Sequence, residues 1–135
     1  MTDDTATIET VAIHEGAKKS GILWLGLDRP RLAWHAYHDG AIYVVTGGGE
    51  QELPGLAERD SVRVTLRSKD NGARLVSFDA DVSVVDQAKE PEAVAVLAKE
   101  RLNAPDTEAL PERWAQESTV VRLTPRGAGS IGADA

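Results

Sequence analysis

The chain has 135 residues, a formal net charge of −7 and no cysteine; this fits one domain that buries a core without disulfides, and it excludes thiolate metal sites. The charge is spread along the whole chain with no basic stripe interleaved with aromatics, so neither nucleic acid nor an anionic membrane is expected as a partner. The acidic start MTDDTATIET is unlike a secretory signal and no apolar run approaches the roughly twenty residues that span a bilayer, which leaves the cytoplasm as the expected compartment.

Over residues 5–19, Ile8, Val11 and Ala12 recur at helical spacing, with acids before them and Lys18 and Lys19 behind, and predict an amphipathic helix stopped by Gly21. His14 falls in it as an exposed or rim residue. Residues 22–27 form a short apolar run bounded by Gly21 and Asp28-Arg29-Pro30, the pattern of a buried strand. Residues 31–37 and 41–46 flank Asp39-Gly40, a pair that supplies the positive φ of a type I′ turn, and predict a β-hairpin. Along its first arm Leu32, Trp34 and Ala36 share one side while Ala33, His35 and Tyr37 share the other. Bulky groups on both sides suit a barrel wall or a dimer interface. His35 and His38 point to opposite faces, so no metal site is expected from them.

Gly47, Gly48 and Gly49 follow the hairpin at once. They can bring backbone N–H groups close to an anion, or serve as a flexible exit from the sheet. The next residues, Glu50, Gln51 and Glu52, put two carboxylates where a phosphate site wants cations, so by charge the loop repels phosphate. Leu53, Leu56 and Ala57 then suggest one helical turn after Pro54. Residues 62–67 alternate Val62, Val64 and Leu66 against Arg63, Thr65 and Arg67, a half-exposed strand with a basic outer face. A turn at 69–72 leads to a long, bent strand over 73–85, with Val76, Phe78, Ala80, Val82 and Val84 on one face. Asp79 and Asp81 on its other face read as solvated; as an acid/base pair they lack a visible partner.

Val94, Leu97, Ala98 and Leu102 make one stripe of a second amphipathic helix over 91–103, opened by Pro91. Residues 104–117, with two prolines, several acids and Trp114, read as a loop with one helical turn, and 119–123 as the last strand. The order predicts a mainly β single domain, a small barrel with flanking helices over 1–126, followed by a flexible Gly/Ala-rich tail over 127–135. A sheet-and-helix sandwich is the alternative.

Five stretches carry a resemblance: Gly-Ile-Leu-Trp-Leu at 21–25, Arg29-Pro30, the Asp-Gly hairpin ending in Val44-Val45-Thr46-Gly47, Ala57-Glu58-Arg59-Asp60-Ser61-Val62, and the closing Val121-Arg122-Leu123-Thr124-Pro125-Arg126. From 21 to 126 the chain resembles the split β-barrel family typified by pyridoxamine 5′-phosphate oxidase and its flavin- or deazaflavin-binding relatives. The resemblance implies a homodimer with FMN or a deazaflavin, and a small-molecule ligand, at the interface. It places Ala33, Trp34 and His35 beside the ring and Thr46 and Gly47 at the opening of the phosphate loop. Where such members carry a Ser-Arg-Lys-like cluster this chain has Glu50, Gln51 and Glu52, and where they have Asn before a leucine it has Gly55. A phosphate would then need Arg63, Arg67 or an arginine of a second copy. The implied function is an oxidoreductase whose cofactor does the redox chemistry, with no catalytic side chain identified. The alternative is a non-enzymatic dimeric module that has lost its phosphate anchor.

Overall fold

In the computed structural model, the described residues are 17, 22–48, 50–68, 74–100, 110–126 and 130–131. The helix expected over 5–19, with His14, lies outside them except for Ala17, as do the turn at 69–72 and residues 101–109.

Eight strands form one sheet: β1 (Ile22–Gly26), β2 (Pro30–Trp34), β3 (Ala36–His38), β4 (Ala41–Thr46), β5 (Ser61–Ser68), β6 (Arg74–Val84), β7 (Thr119–Pro125) and β8 (Ser130–Ile131). The path runs β2-β1-β5-β6-β7-β4-β3, with every pairing antiparallel, and β8 adds to β6. Its two end strands, β2 and β3, are separated in the chain by His35 alone. The sheet therefore curls until both its edges meet in one broken strand, which closes a barrel without an open edge there. The single strand expected over 31–37 is thus two pieces that pair with different neighbours. Their faces still alternate: Ala33 and Tyr37 join the core inside the barrel, while Trp34 and Ala36 join the cluster outside it.

The β3–β4 turn has Asp39 at φ 50° and Gly40 at φ 81°, the pair of positive angles that a type I′ turn requires. Alternation then buries β4 on both sides. Ile42 and Val44 point into the barrel with Leu23, Leu25, Val62, Val64, Leu66, Phe78, Ala80, Val121 and Leu123. Ala41, Tyr43 and Val45 point outward beneath two helices, α1 (Pro91–Glu100) and α2 (Leu110–Glu117). Leu53 and Leu56, the latter in a 3-10 turn over Leu56–Glu58, join the barrel core as well. Together the two clusters explain a one-domain fold with helices on one flank.

Three further readings differ from the sequence expectation. The stretch 104–117, read as a loop with one turn, contains the two-turn helix α2, whose Leu110 and Trp114 stand four apart and are both buried. The long strand keeps Phe78 and Ala80 inside but leaves Val84 exposed beyond the barrel, while Val85 turns under the helices. Residues 130–131, in the stretch read as a tail, pair with β6 at Val76 and Ser77. No helix among the described residues is long and apolar enough to cross a membrane.

Candidate functional site

The site is built where β4 leaves the barrel. Thr46 ends that strand, and its hydroxyl donates to the Gln51 carbonyl (2.9 Å) while accepting from the Leu53 N–H (3.1 Å). Gly47 N–H reaches the same Gln51 carbonyl (3.2 Å), and Glu50 N–H returns to the Gly47 carbonyl (3.0 Å). These bonds tie residues 46 and 47 to residues 50–53 and spend their donors within the loop. A flexible exit would leave them to water.

Two side chains tie this loop to its surroundings. Gln51 offers its amide as both donor and acceptor to the Trp34 backbone, Nε2 to the carbonyl and Oε1 from the N–H, each at 3.0 Å. It fills backbone positions that the break at His35 would otherwise leave without a strand partner. Glu50, whose side chain is 1% exposed, accepts the Trp114 indole N–H (3.0 Å) and an Arg113 guanidinium N–H (3.1 Å) through Oε2. Gly48, at φ 59°, lies against the end of α2, where an added Cβ would stand 2.5 Å from the Glu117 carbonyl oxygen. Ser118 Oγ donates to the Gly47 carbonyl (3.0 Å) and completes the brace.

A pocket of about 280 Å³ opens on this loop, lined by Thr46, Gly47, Gly48, Glu50, Glu52, Leu53 and Pro54. Of the residues the resemblance selects, Thr46 and Gly47 line this pocket, and the Trp34 backbone is joined to it through Gln51. The Trp34 ring is half-buried and tilted at 41° against Trp114, with centroids 6.4 Å apart. Ala33 lies in the barrel core. His35 is buried as well, its Nε2–H donating to the Ala17 carbonyl (2.9 Å), while Nδ1 has no partner among the described residues. Burial holds its pKa below the ordinary 6.5, against the opposing pull of the Ala17 carbonyl and Glu100. In this chain, then, neither Ala33 nor His35 presents a side chain at the surface, and the exposed part of the trio is Trp34.

The donor set does not fit a phosphate at the glycine loop. Three of its N–H groups, at 47, 50 and 53, are spent internally, both acids remain in the pocket wall, Arg113 is engaged by Glu50, and Arg31, whose charge acts with that of Glu52, is held by Asp28. Arg63 is paired with Asp79 (3.3 Å) on the outer face of the sheet, and Asp81 with Arg126 (2.6 Å), so Asp79 and Asp81 are ion-pair members and not an acid/base couple. No group of three or more metal-capable side chains comes together among the described residues.

Sequence reasoning placed Glu50 by its charge and missed its partners. Arg113 and Trp114 were invisible because they lie more than sixty residues along the chain, in a helix whose apolar signal is two side chains, as was Ser118, the partner of Gly47 just past its end. The spacing of Leu110 to Trp114 behind Pro111 was the available sign.

No family model matches the chain, and no curated protein matches it. Solved structures do. A conserved hypothetical protein of Mycobacterium tuberculosis matches at TM-score 0.62 and 22% identity, covering 90% of this chain and 82% of that one. A protein of Clostridium acetobutylicum related to general stress protein 26, of the pyridoxinephosphate oxidase family, matches at TM-score 0.55 and 11% identity over 93% and 94%. An FAD- and haem-binding protein of Mycobacterium smegmatis matches at TM-score 0.64 and 11% identity over 90% and 69%. Closure of the curled sheet at His35, the helices over its outer face and these likenesses agree: the chain has the split β-barrel fold of the pyridoxamine 5′-phosphate oxidase-like proteins.

Proposed function

We propose that the chain is a flavin- or deazaflavin-binding protein of the split-barrel oxidoreductase class, seating the ring system between Trp34 and the pocket at Thr46 and Gly47. The observation that carries this reading is the pocket itself, which opens on the loop that Gln51 cross-links to the Trp34 backbone. Residues 34, 46 and 47 so belong to one braced unit, and a braced wall holds a planar ligand at little ordering cost. The ring would supply the redox chemistry when bound; this chain's part is to bind and orient it. A second copy of the chain would cover the exposed Leu32 and complete the site as a homodimer.

The as-isolated absorbance spectrum, with calorimetric titration of FMN and of the deazaflavin cofactor, tests the reading. Saturable binding of either, in the ring or full form, is expected; a colourless protein that binds neither form contradicts it. One observation favours a second reading, a non-enzymatic module: Glu50 is built into the fold as a brace, at a place where the resemblance expects a phosphate anchor. That reading predicts no flavin-ring binding at all.

A further inference from the structure

We infer that the ligand end reaching the glycine loop carries no phosphate: the pocket selects a flavin or deazaflavin whose tail ends in hydroxyl groups. The inference rests on the proposed function and narrows its ligand class. Three observations point the same way. Three of the loop's amide donors, at 47, 50 and 53, are bound to carbonyl and hydroxyl oxygens of the loop itself. Of the guanidinium groups near the loop, Arg113 is held by the buried Glu50 carboxylate, which also accepts the Trp114 indole N–H, and Arg31, whose charge acts with that of Glu52, is held by Asp28. The pocket wall adds a second acid, Glu52, which is exposed.

A dianionic phosphate brought there would meet the Glu52 carboxylate, with the charge of Glu50 offset by Arg113, and would find three of the loop's donors already bonded, whereas a hydroxyl can donate to Glu52 with no charge penalty. Glu50 cannot rotate away cheaply, because its departure leaves the buried Trp114 N–H without an acceptor. Glu52 has no such burden, so it is the residue through which tail selectivity can be changed without disturbing the fold.

The test compares riboflavin with FMN, which differ by the phosphate alone, by fluorescence quenching and calorimetry at low and at high salt. The deazaflavin core and its full phosphate-bearing form make a parallel pair. The wild-type chain is expected to bind riboflavin at least about tenfold more tightly than FMN at low salt, with the ratio shrinking as salt screens the acids. Glu52→Lys should raise FMN affinity and weaken riboflavin, which loses its hydroxyl acceptor, so that the ratio falls or inverts, and Glu52→Gln should fall between. FMN binding more tightly than riboflavin to the wild type, or a ratio that Glu52→Lys does not move, overturns the inference and leaves the proposed function standing. Binding of neither ring form overturns both.

Discussion

At the scale of single residues, the chain holds its ionisable groups in two opposite ways. His35 is kept neutral by burial, at the one residue where the barrel's two edges meet. Above the unfolded value of 6.5 both folded and unfolded chains carry it neutral. As pH falls below that, the unfolded chain takes up a proton that the folded chain resists, and stability is lost until the lower folded value is passed. An NMR titration of the imidazole should find its midpoint below 6.5, and a midpoint at or above it contradicts this environment. Asp28 is the reverse case. In the β1–β2 turn it accepts Arg31 Nε (2.8 Å) and NH2 (2.9 Å), and these bonds, against slight desolvation, bring its carboxyl from 3.8 to about 2. Carbon-detected NMR should place that titration near 2 and see it return towards 3.8 in Arg31→Ala. The pair is exposed, so the ionisation is more informative than its effect on stability.

At the scale of elements, the loop at 47–52 and α2 behave as one part. Trp114 is fully buried, and Trp114→Ala should cost about 3 to 5 kcal/mol in a denaturant titration, through lost packing and a cavity. Glu50→Ala should cost about 1 to 3 kcal/mol by stranding the indole N–H, while Arg113, half in solvent, rehydrates. A loss near zero for Glu50→Ala would show that the brace is not formed. The glycines give a matched comparison. Gly40→Ala meets open space and bears only the strain of φ 81°, roughly 1 kcal/mol, whereas Gly48→Ala adds a collision with the Glu117 carbonyl and should lose clearly more. Equal losses would place the loop away from the helix end.

The strands and the hairpin were legible because their signals are local: Asp39-Gly40 sets its own turn, and Val62, Val64 and Leu66 alternate within one strand. The loop's chemistry was not. Glu50 read alone is a charge that repels phosphate, and only its contact with residues 113 and 114 makes it a buried brace. Break points in a strand are equally silent, since nothing in Trp34-His35-Ala36 states which neighbour each half will pair with. Polar side chains such as Gln51 declare their role only once the backbone they complete is in place.

At the scale of the whole molecule, the sheet closes through one strand broken at His35, and Gln51 of the loop bonds the backbone just before that break. The element order was enough to suggest a barrel, and the resemblance named the kind. The helical stripe of Val94, Leu97 and Ala98 was legible, but not its union with Leu110, Trp114 and the outer face of β4, because these partners lie far apart in sequence. Covering of Leu32 by a second copy is checked by light scattering on the purified chain, with a dimer expected and Leu32→Glu expected to shift it towards monomer.

The proposed function puts the ligand at the braced loop. Amide chemical-shift mapping on a labelled sample titrated with riboflavin tests it most directly. The largest movements are expected at Trp34, Thr46, Gly47, Gly48 and Leu53, with the barrel interior at Val64 and Phe78 unmoved. Shifts clustered elsewhere on the barrel, with the loop silent, would contradict it.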